Sequence, residues 1–162
     1  MAQERFLVLL RHGIAEERTE GKPDADRALT DAGNARMKQI ARGVAKIFPK
    51  AEVIYSSPLL RCVQTSLWVA KAFHNDVPVK ASEALVPGSR TKELRDLFGR
   101  LDETKIILVG HEPNLSTAMV DLTGIESGVF ELRKGGCYGL RLYPDGSAKL
   151  EWMLPPRVLR RV

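Results

Sequence analysis

The sequence predicts an α/β domain built as a three-layer α/β/α sandwich, with a mainly parallel sheet and antiparallel edge strands at its C-terminal end. Two observations favour this class. Short apolar runs at 5–10 and 105–109 have the length and bulky character of buried strands, and they alternate with segments whose apolar residues recur at helical spacing. Towards the end, short strand-like runs follow one another around 128–133, 137–143 and 147–154.

The first helix and the strand after it are indicated by a cap, an apolar periodicity and a proline. After the first strand a polar loop extends to about Leu29, and Thr30 is the expected N-cap. Apolar residues then recur at helical spacing from Met37 to Phe48, and Pro49 ends the helix. Residues 52–55 predict the second strand.

A second helix is expected to begin at Ser57-Pro58, with the proline in its first turn, where a missing N–H costs little. Its apolar spacing predicts a buried face made of Leu60, Val63, Leu67 and Ala70. A short strand near 78–81 follows.

The remaining elements follow the same alternation. Apolar spacing predicts a third helix over 94–101, and a fourth helix is expected from about Asn114 to Leu122. The turns at 134–136 and 144–146, which contain Gly-Gly and Pro-Asp-Gly, are typical of hairpin connections between the last strands.

Composition narrows the classes of protein and partner. The 162 residues predict one domain, 1–162, and a net charge of +5 favours anionic ligands in general. The charges are dispersed, so we expect no nucleic acid partner, and Arg157, Arg160 and Arg161 are expected to form a solvated terminus.

We see neither a transmembrane stretch nor a secretory signal, which predicts a cytoplasmic protein without a membrane partner. We expect this protein to be a monomer. Cys62 and Cys137 are expected to be buried reduced thiols.

Polar groups follow three of the predicted strands. Arg11-His12-Gly13 follows the first, Ser56, Ser57 and then Arg61 follow the second, and His111 follows the fourth. Parallel strands end at the same edge of a sheet, where ligands bind in α/β folds. Guanidinium groups match the oxygens of a phosphoryl group with paired donors, so these residues predict a pocket for a small dianion.

The same segments resemble the histidine phosphatase superfamily, which has the phosphoglycerate-mutase-like fold. The resemblance rests on residues 10–13, on Ser57-Pro58 through Thr65, on residues 109–111, and on 26–33 as the entry to the first helix. The short length and Arg-His-Gly-Ile-Ala look most like the SixA-type phosphohistidine phosphatases. The Ile-Ala that follows Arg-His-Gly differs from the Glu-Ser of the mutases.

The resemblance implies a role for each matched residue. His12 would be the nucleophile that accepts the phosphoryl group, and Arg11, Arg61 and His111 would hold its oxygens. Neutral imidazole is a competent nucleophile near pH 7, and phosphoryl transfer needs mainly positioning and charge stabilisation. Cationic and donor groups supply these, and no Asp/His cluster has two-metal spacing, so we expect neither metal nor cofactor.

The substrate and the general acid are open at this point. Glu83, just after the third strand, is a candidate acid, which an alkoxide leaving group needs more than an imidazole does. The expected substrate is a phosphorylated protein, such as a histidine-containing phosphotransfer domain, because short loops leave the site open to a protein surface. The alternatives are a small phosphate ester, such as a sugar or nucleotide phosphate, and a non-catalytic phosphate-binding module.

Overall fold

The structure, a computed structural model, describes residues 3–126 and 130–162 and contains a mixed six-stranded sheet with helices on both faces. The strands are β1 (Arg5–Arg11), β2 (Val53–Ser56), β3 (Val79–Ala81), β4 (Lys105–Gly110), β5 (Cys137–Leu142) and β6 (Ala148–Leu154). The helices are α1 (Asp31–Ile47), α2 (Leu60–Ala72), α3 (Thr91–Phe98), α4 (Asn114–Thr123) and α5 (Pro156–Leu159). The predicted fold class is confirmed. In the described part of the chain, no helix has the length and apolar character needed to cross a bilayer.

The strand order explains where a site can form. The order is β3-β2-β4-β1-β5-β6, in which the first four strands are parallel and β5 and β6 are antiparallel additions at one side, as predicted. Arg11 pairs with Gly110 and Ser56 pairs with Val109 at the carboxyl ends of β1, β4 and β2. The residues that follow these strands therefore emerge side by side at one edge of the sheet.

The strand residues alternate between two hydrophobic layers. Val8 and Leu10 of β1 pack with α1, α2 and α5 on one face, whereas Leu7 and Leu9 pack with α3 and α4 on the other. All four side chains are completely buried. This burial on both faces is why the central strand is a continuous apolar run rather than an alternating one.

The first helix begins as predicted and supports the last one. Thr30 is its N-cap, and its hydroxyl accepts a hydrogen bond from the Gly33 amide at 2.9 Å. At Gly43, a Cβ atom would collide with the carbonyl of Leu159. Because Gly43 has no side chain, the backbone of α5 packs directly against α1, and this contact positions α5.

The predicted buried face of the second helix is confirmed at Ala70 and is wrong at Leu60 and Leu67. The helix begins at Leu60, two residues after Pro58, and Leu60 and Leu67 are 37% and 55% exposed. The side that faces the protein instead carries Arg61, Cys62, Thr65, Ser66, Val69 and Ala70. The physical reason is that the first half of this side contacts the polar strand ends. There, Thr65 accepts a hydrogen bond from the Gly13 amide at 3.1 Å.

The segment before β5 also differs from the prediction. Residues 130–133 form no strand, and 128–129 lie outside the described residues, so the turn at 134–136 is not a hairpin connection. Its Gly135 amide donates to the carbonyls of Arg11 and His12, at 3.1 and 3.2 Å. The segment is therefore held by the end of β1 rather than by a strand partner. The turn at 144–146 does join β5 to β6, as predicted.

Candidate active site

The predicted site residues are brought together at the carboxyl edge of the sheet. His12 and His111 follow β1 and β4, and their ring centroids are 5.2 Å apart. Arg61, in the first turn of α2, has its Nη2 3.4 Å from Nδ1 of His111. Arg11 ends β1, and its Nη1 donates to the Leu132 carbonyl at 2.5 Å. Two guanidinium groups and two imidazoles thus form one cluster.

The hydrogen bond of His12 fixes which ring nitrogen is free. Nδ1 lies 2.7 Å from the Gly13 carbonyl, and because a carbonyl only accepts, Nδ1 carries the proton. Nε2 is then left with its lone pair. Gly13 has no room for a side chain, since a Cβ atom would come within 2.5 Å of Cγ of Met37.

Burial keeps His12 neutral. The residue is only 7% exposed, and this burial, with the positive charges of Arg61 and Arg11 nearby, lowers its pKa from 6.5 to about 3. The hydrogen bond to Gly13 raises the pKa of His12, but the effect of burial is larger. The ring is therefore unprotonated at neutral pH, which is the state in which an imidazole can act as a nucleophile.

His111 adopts the opposite tautomer. Its Nδ1 accepts from Arg61, since a guanidinium only donates, and its Nε2–H donates to the Ser57 hydroxyl at 2.8 Å. Burial, together with the charge of Arg61, lowers its pKa to about 4. Cys62 lies close by, with Sγ 3.4 Å from Nε2, and burial raises the pKa of this thiol to about 12.

Arg61 is anchored by a residue that sequence reasoning missed. It is 3% exposed, its Nη1 donates to the Asp24 carbonyl at 2.9 Å, and its Nη2 donates to the Asp24 carboxylate at 3.1 Å. Partial burial tends to raise the pKa of Asp24, but the bonds to Arg61 and Arg27 outweigh it, so the net pKa is lowered. Asp24 lies in a 3-10 turn of the loop between β1 and α1, where no sequence signal marks it.

The two arginines keep donors free for an anion. Among the described residues, Nε of Arg11 and Nε of Arg61 are buried and have no hydrogen-bond acceptor. Both histidines are neutral, and among the described residues the Asp24 carboxylate pairs with Arg61 and also with Arg27, whereas Arg11 forms no ion pair. An excess of positive charge and unsatisfied donors favours a bound oxyanion such as a phosphoryl group.

Two carboxylates lie near this edge. Glu83 is exposed, begins a 3-10 turn directly after β3, and has no hydrogen bond or ion pair to the clustered residues within the described chain. Glu112, which the sequence did not single out, is half-buried, and burial raises its pKa. With Arg11 and Ser116 it lines a cleft of about 520 Å³. A general acid role for Glu83 stays a prediction.

The described residues include no group of three or more His, Cys, Asp or Glu side chains that could hold a metal ion. Metal independence of the activity stays a prediction.

Comparison with known proteins agrees with this site. The histidine phosphatase superfamily (branch 1) matches residues 7–86, which include Arg11, His12 and Arg61. An uncharacterized protein from Picosynechococcus is 32% identical over 149 residues, covering 90% of this chain and 88% of that protein.

Solved structures share the whole architecture. The protein assigned as the phosphohistidine phosphatase SixA of Agrobacterium tumefaciens has a TM-score of 0.79 at 26% identity, over 94% of this chain and 98% of that one. The protein histidine phosphatase SixA with tungstate has a TM-score of 0.85 at 19% identity, over 95% and 99%. A phosphoserine phosphatase from Entamoeba histolytica has the same fold, with a TM-score of 0.74 at 20% identity, over 94% and 98%. The clustered residues, the matched segment and the shared architecture agree, and the chain belongs to the histidine phosphatase superfamily.

Proposed function

We propose that this chain is a metal-independent phosphatase that forms a phosphohistidine intermediate on His12 and that its substrate is protein phosphohistidine. The observation that supports the proposal most is the state of His12. It is buried and neutral, its Nε2 lone pair is free, and it lies beside arginines whose Nε donors have no acceptor among the residues that the structure describes. Simple anion binding does not need a nucleophile in this state.

In the first step, Nε2 of His12 attacks phosphorus in line with the leaving nitrogen of the substrate. The P–N bond to His12 forms as the P–N bond to the substrate imidazole breaks. The His12 ring becomes a cation, and the Nδ1–H bond to the Gly13 carbonyl stabilises it. Arg11 and Arg61 neutralise the charge on the equatorial oxygens.

In the second step, water attacks the phosphoryl group on the opposite face. The P–N bond to His12 breaks, phosphate forms and takes the hydroxyl of the water, and the remaining proton goes to solvent. His12 returns to its neutral Nδ1–H tautomer. Each step needs positioned positive charge, and the two guanidinium groups supply it.

The substrate class follows from the leaving group. A phosphohistidine that is protonated at its second ring nitrogen releases neutral imidazole and needs little acid catalysis, whereas an alkyl phosphate releases an alkoxide. The position of Glu83, exposed and without a bond to the cluster, supports a substrate that dispenses with a strong acid. The similarity to the protein assigned as SixA in A. tumefaciens supports the same choice.

A second candidate is a phosphatase of small phosphate esters. It is favoured by one observation, the shared fold with the phosphoserine phosphatase of E. histolytica. The two candidates share the His12 mechanism and differ in the substrate alone.

The test compares wild type, His12→Ala and His74→Asn on a phosphohistidine protein and on a sugar phosphate. His74 is an exposed histidine with φ of 58°, a conformation that Asn tolerates better than Ala. We expect turnover of the phosphoprotein by wild type and His74→Asn, acid-labile phosphorylation of the enzyme, and loss of both in His12→Ala. Near-normal activity of His12→Ala would refute the mechanism. Faster turnover of the sugar phosphate would refute the substrate class.

A further inference from the structure

A basic groove begins at Arg11 and Gly13 and extends away from the cluster of catalytic residues. It encloses about 580 Å³ between α1, the turn before β5 and α5. Its cationic side chains, beyond Arg11, are Arg36, Arg133, Lys134, Arg157 and Arg160. No acidic side chain lines it among the residues that the structure describes.

These five cations are available to a partner. All five are exposed, and within residues 3–126 and 130–162 none of them forms an ion pair with a carboxylate. Arg157 lies in α5 and Arg160 is the C-cap residue directly after it, so the two lie three positions apart at the same helical turn. Both are exposed, as expected for a solvated terminus, and they also line one groove with Arg36.

The walls of the groove are fixed to the catalytic backbone. The Gly135 amide donates to the carbonyls of Arg11 and His12, and this bond holds the neighbouring Arg133 and Lys134 at the end of β1. On the other wall, Leu159 is buried against α1, which anchors α5. The positive charges therefore stand at a set distance from the phosphoryl site.

The floor of the groove is apolar. It is formed by Met37 and Ile40, which are buried, and by Pro155 and Pro156. The cations come from three separate segments around this floor. A single phosphate would be bound by donors that converge on one point, whereas a groove with apolar lining and cations from three segments fits a protein surface that presents carboxylates around apolar side chains.

We propose that the basic groove is the docking surface for an acidic face of the phosphoprotein substrate, next to its phosphohistidine. The inference rests on the proposed function for the identity of the partner. Charge complementarity carries it, because the described residues that line the groove include these five unpaired cations and no carboxylate. An acidic protein surface gains affinity there, whereas a free phosphohistidine is too small to reach the far cations of α5.

The test measures binding separately from turnover. The probe is a histidine phosphotransfer domain of net negative charge, phosphorylated with phosphoramidate, and the chain carries His12→Ala so that it cannot release the phosphate. The groove variant adds Arg157→Glu and Arg160→Glu. The control adds Lys38→Glu and Arg100→Glu, two exposed cations outside the groove, with the same change of net charge. We expect the Kd to rise about tenfold or more in the groove variant and less than about twofold in the control.

The second measurement is turnover by chains that keep His12 and carry the groove or the control substitutions. The ratio of kcat/KM on the phosphorylated domain to kcat/KM on free phosphohistidine should fall about tenfold in the groove variant and stay constant in the control. A single-stranded oligonucleotide should not displace the domain at equal concentration.

The outcomes separate the two proposals. An equal Kd in both variants, no measurable binding of the domain, or displacement by the oligonucleotide would overturn the docking surface. Binding through the groove without phosphate release by the wild-type chain would instead overturn the proposed function and leave the docking surface standing.

Discussion

His12 should remain unprotonated far below the pH at which an ordinary histidine takes up a proton. The test lowers the pH from 8 and follows the protonation of the His12 ring. Burial and the neighbouring guanidinium groups lower the pKa of His12 from 6.5 to about 3. The nucleophile should therefore be present in full at pH 5.

The expected difference is large enough to decide the matter. At pH 5 a histidine with a pKa of 6.5 is about 97% protonated, whereas one with a pKa near 3 is about 1% protonated. The neutral fraction of His12 at pH 5 is therefore about 30 times that of an unperturbed ring. The lowered pKa depends on the ring staying buried beside the two guanidinium groups, because the hydrogen bond from Nδ1 to Gly13 acts in the opposite direction.

Nitrogen-15 NMR of the imidazole rings measures both the charge and the tautomer. The chain has three histidines, and the His12→Ala variant assigns the signal of His12. We expect a protonated Nδ1 and an unprotonated Nε2 for His12, and the reverse for His111, with no titration of His12 between pH 8 and pH 5. An apparent pKa above 5.5, or an Nε2–H tautomer of His12, would refute both the site geometry and the assignment of Nε2 as nucleophile.

The same shifts predict acid sensitivity of the fold. Between pH 6.5 and the native pKa values of about 3 for His12 and about 4 for His111, the unfolded chain binds more protons than the native one. The free energy of unfolding therefore falls as the pH is lowered through this window, by at most about 1.4 kcal/mol per pH unit for each histidine. Urea titrations at pH 6 and pH 5 should show a smaller loss in His12→Ala than in wild type, by about 1 kcal/mol.

Three further substitutions test the remaining residues. Arg61→Ala should lower kcat/KM about a hundredfold or more, since a buried charged contact is lost, whereas Lys80→Ala should change it little; equal small losses would show that Arg61 is not part of the anion clamp. Asp24→Ala should lower kcat/KM about tenfold because Nη2 of Arg61 loses its carboxylate partner while Nη1 keeps the main-chain carbonyl, whereas Asp26→Ala, in the same 3-10 turn, should have no effect; matching effects would refute the anchor. Glu83→Gln should leave phosphohistidine turnover nearly unchanged, and a loss of about a hundredfold on sugar phosphates that wild type hydrolyses fast would show that Glu83 is a general acid for esters. Chelation with EDTA should not affect wild type, and inhibition that added metal reverses would contradict metal independence.

Sequence patterns predicted the elements that obey local rules. The first strand is a continuous apolar run buried on both faces, and the cap at Thr30 is a local hydrogen bond to Gly33. The Pro-Asp-Gly turn at 144–146 connects neighbouring strands. The sequence also predicted that His12 and His111 lie close together, because residues that follow neighbouring parallel strands emerge at the same edge of the sheet.

What could not be predicted depends on partners that are distant in sequence. Asp24 binds Arg61 across 37 positions, and no local pattern selects that carboxylate from the others in the same loop. The segment 130–133 alternates like a strand, yet its Leu132 carbonyl accepts from Arg11 instead of a ladder partner. The basic groove likewise exists only because α5 packs on α1, which joins residues 36 and 160.

The inverted polarity of α2 shows why the pattern fails at this helix in particular. A helix in this position would normally bury its leucines, but α2 exposes Leu60 and Leu67 and buries Arg61, Thr65 and Ser66. Burying a guanidinium is unfavourable unless it is paired and hydrogen-bonded, and Asp24 and His111 provide only part of that pairing. Among the residues that the structure describes, Nε of Arg61 has no hydrogen-bond acceptor, and the proposed phosphoryl group would supply one. The position where the apolar pattern breaks is therefore the position that we propose as the anion site, and binding of an anion there should also stabilise the fold.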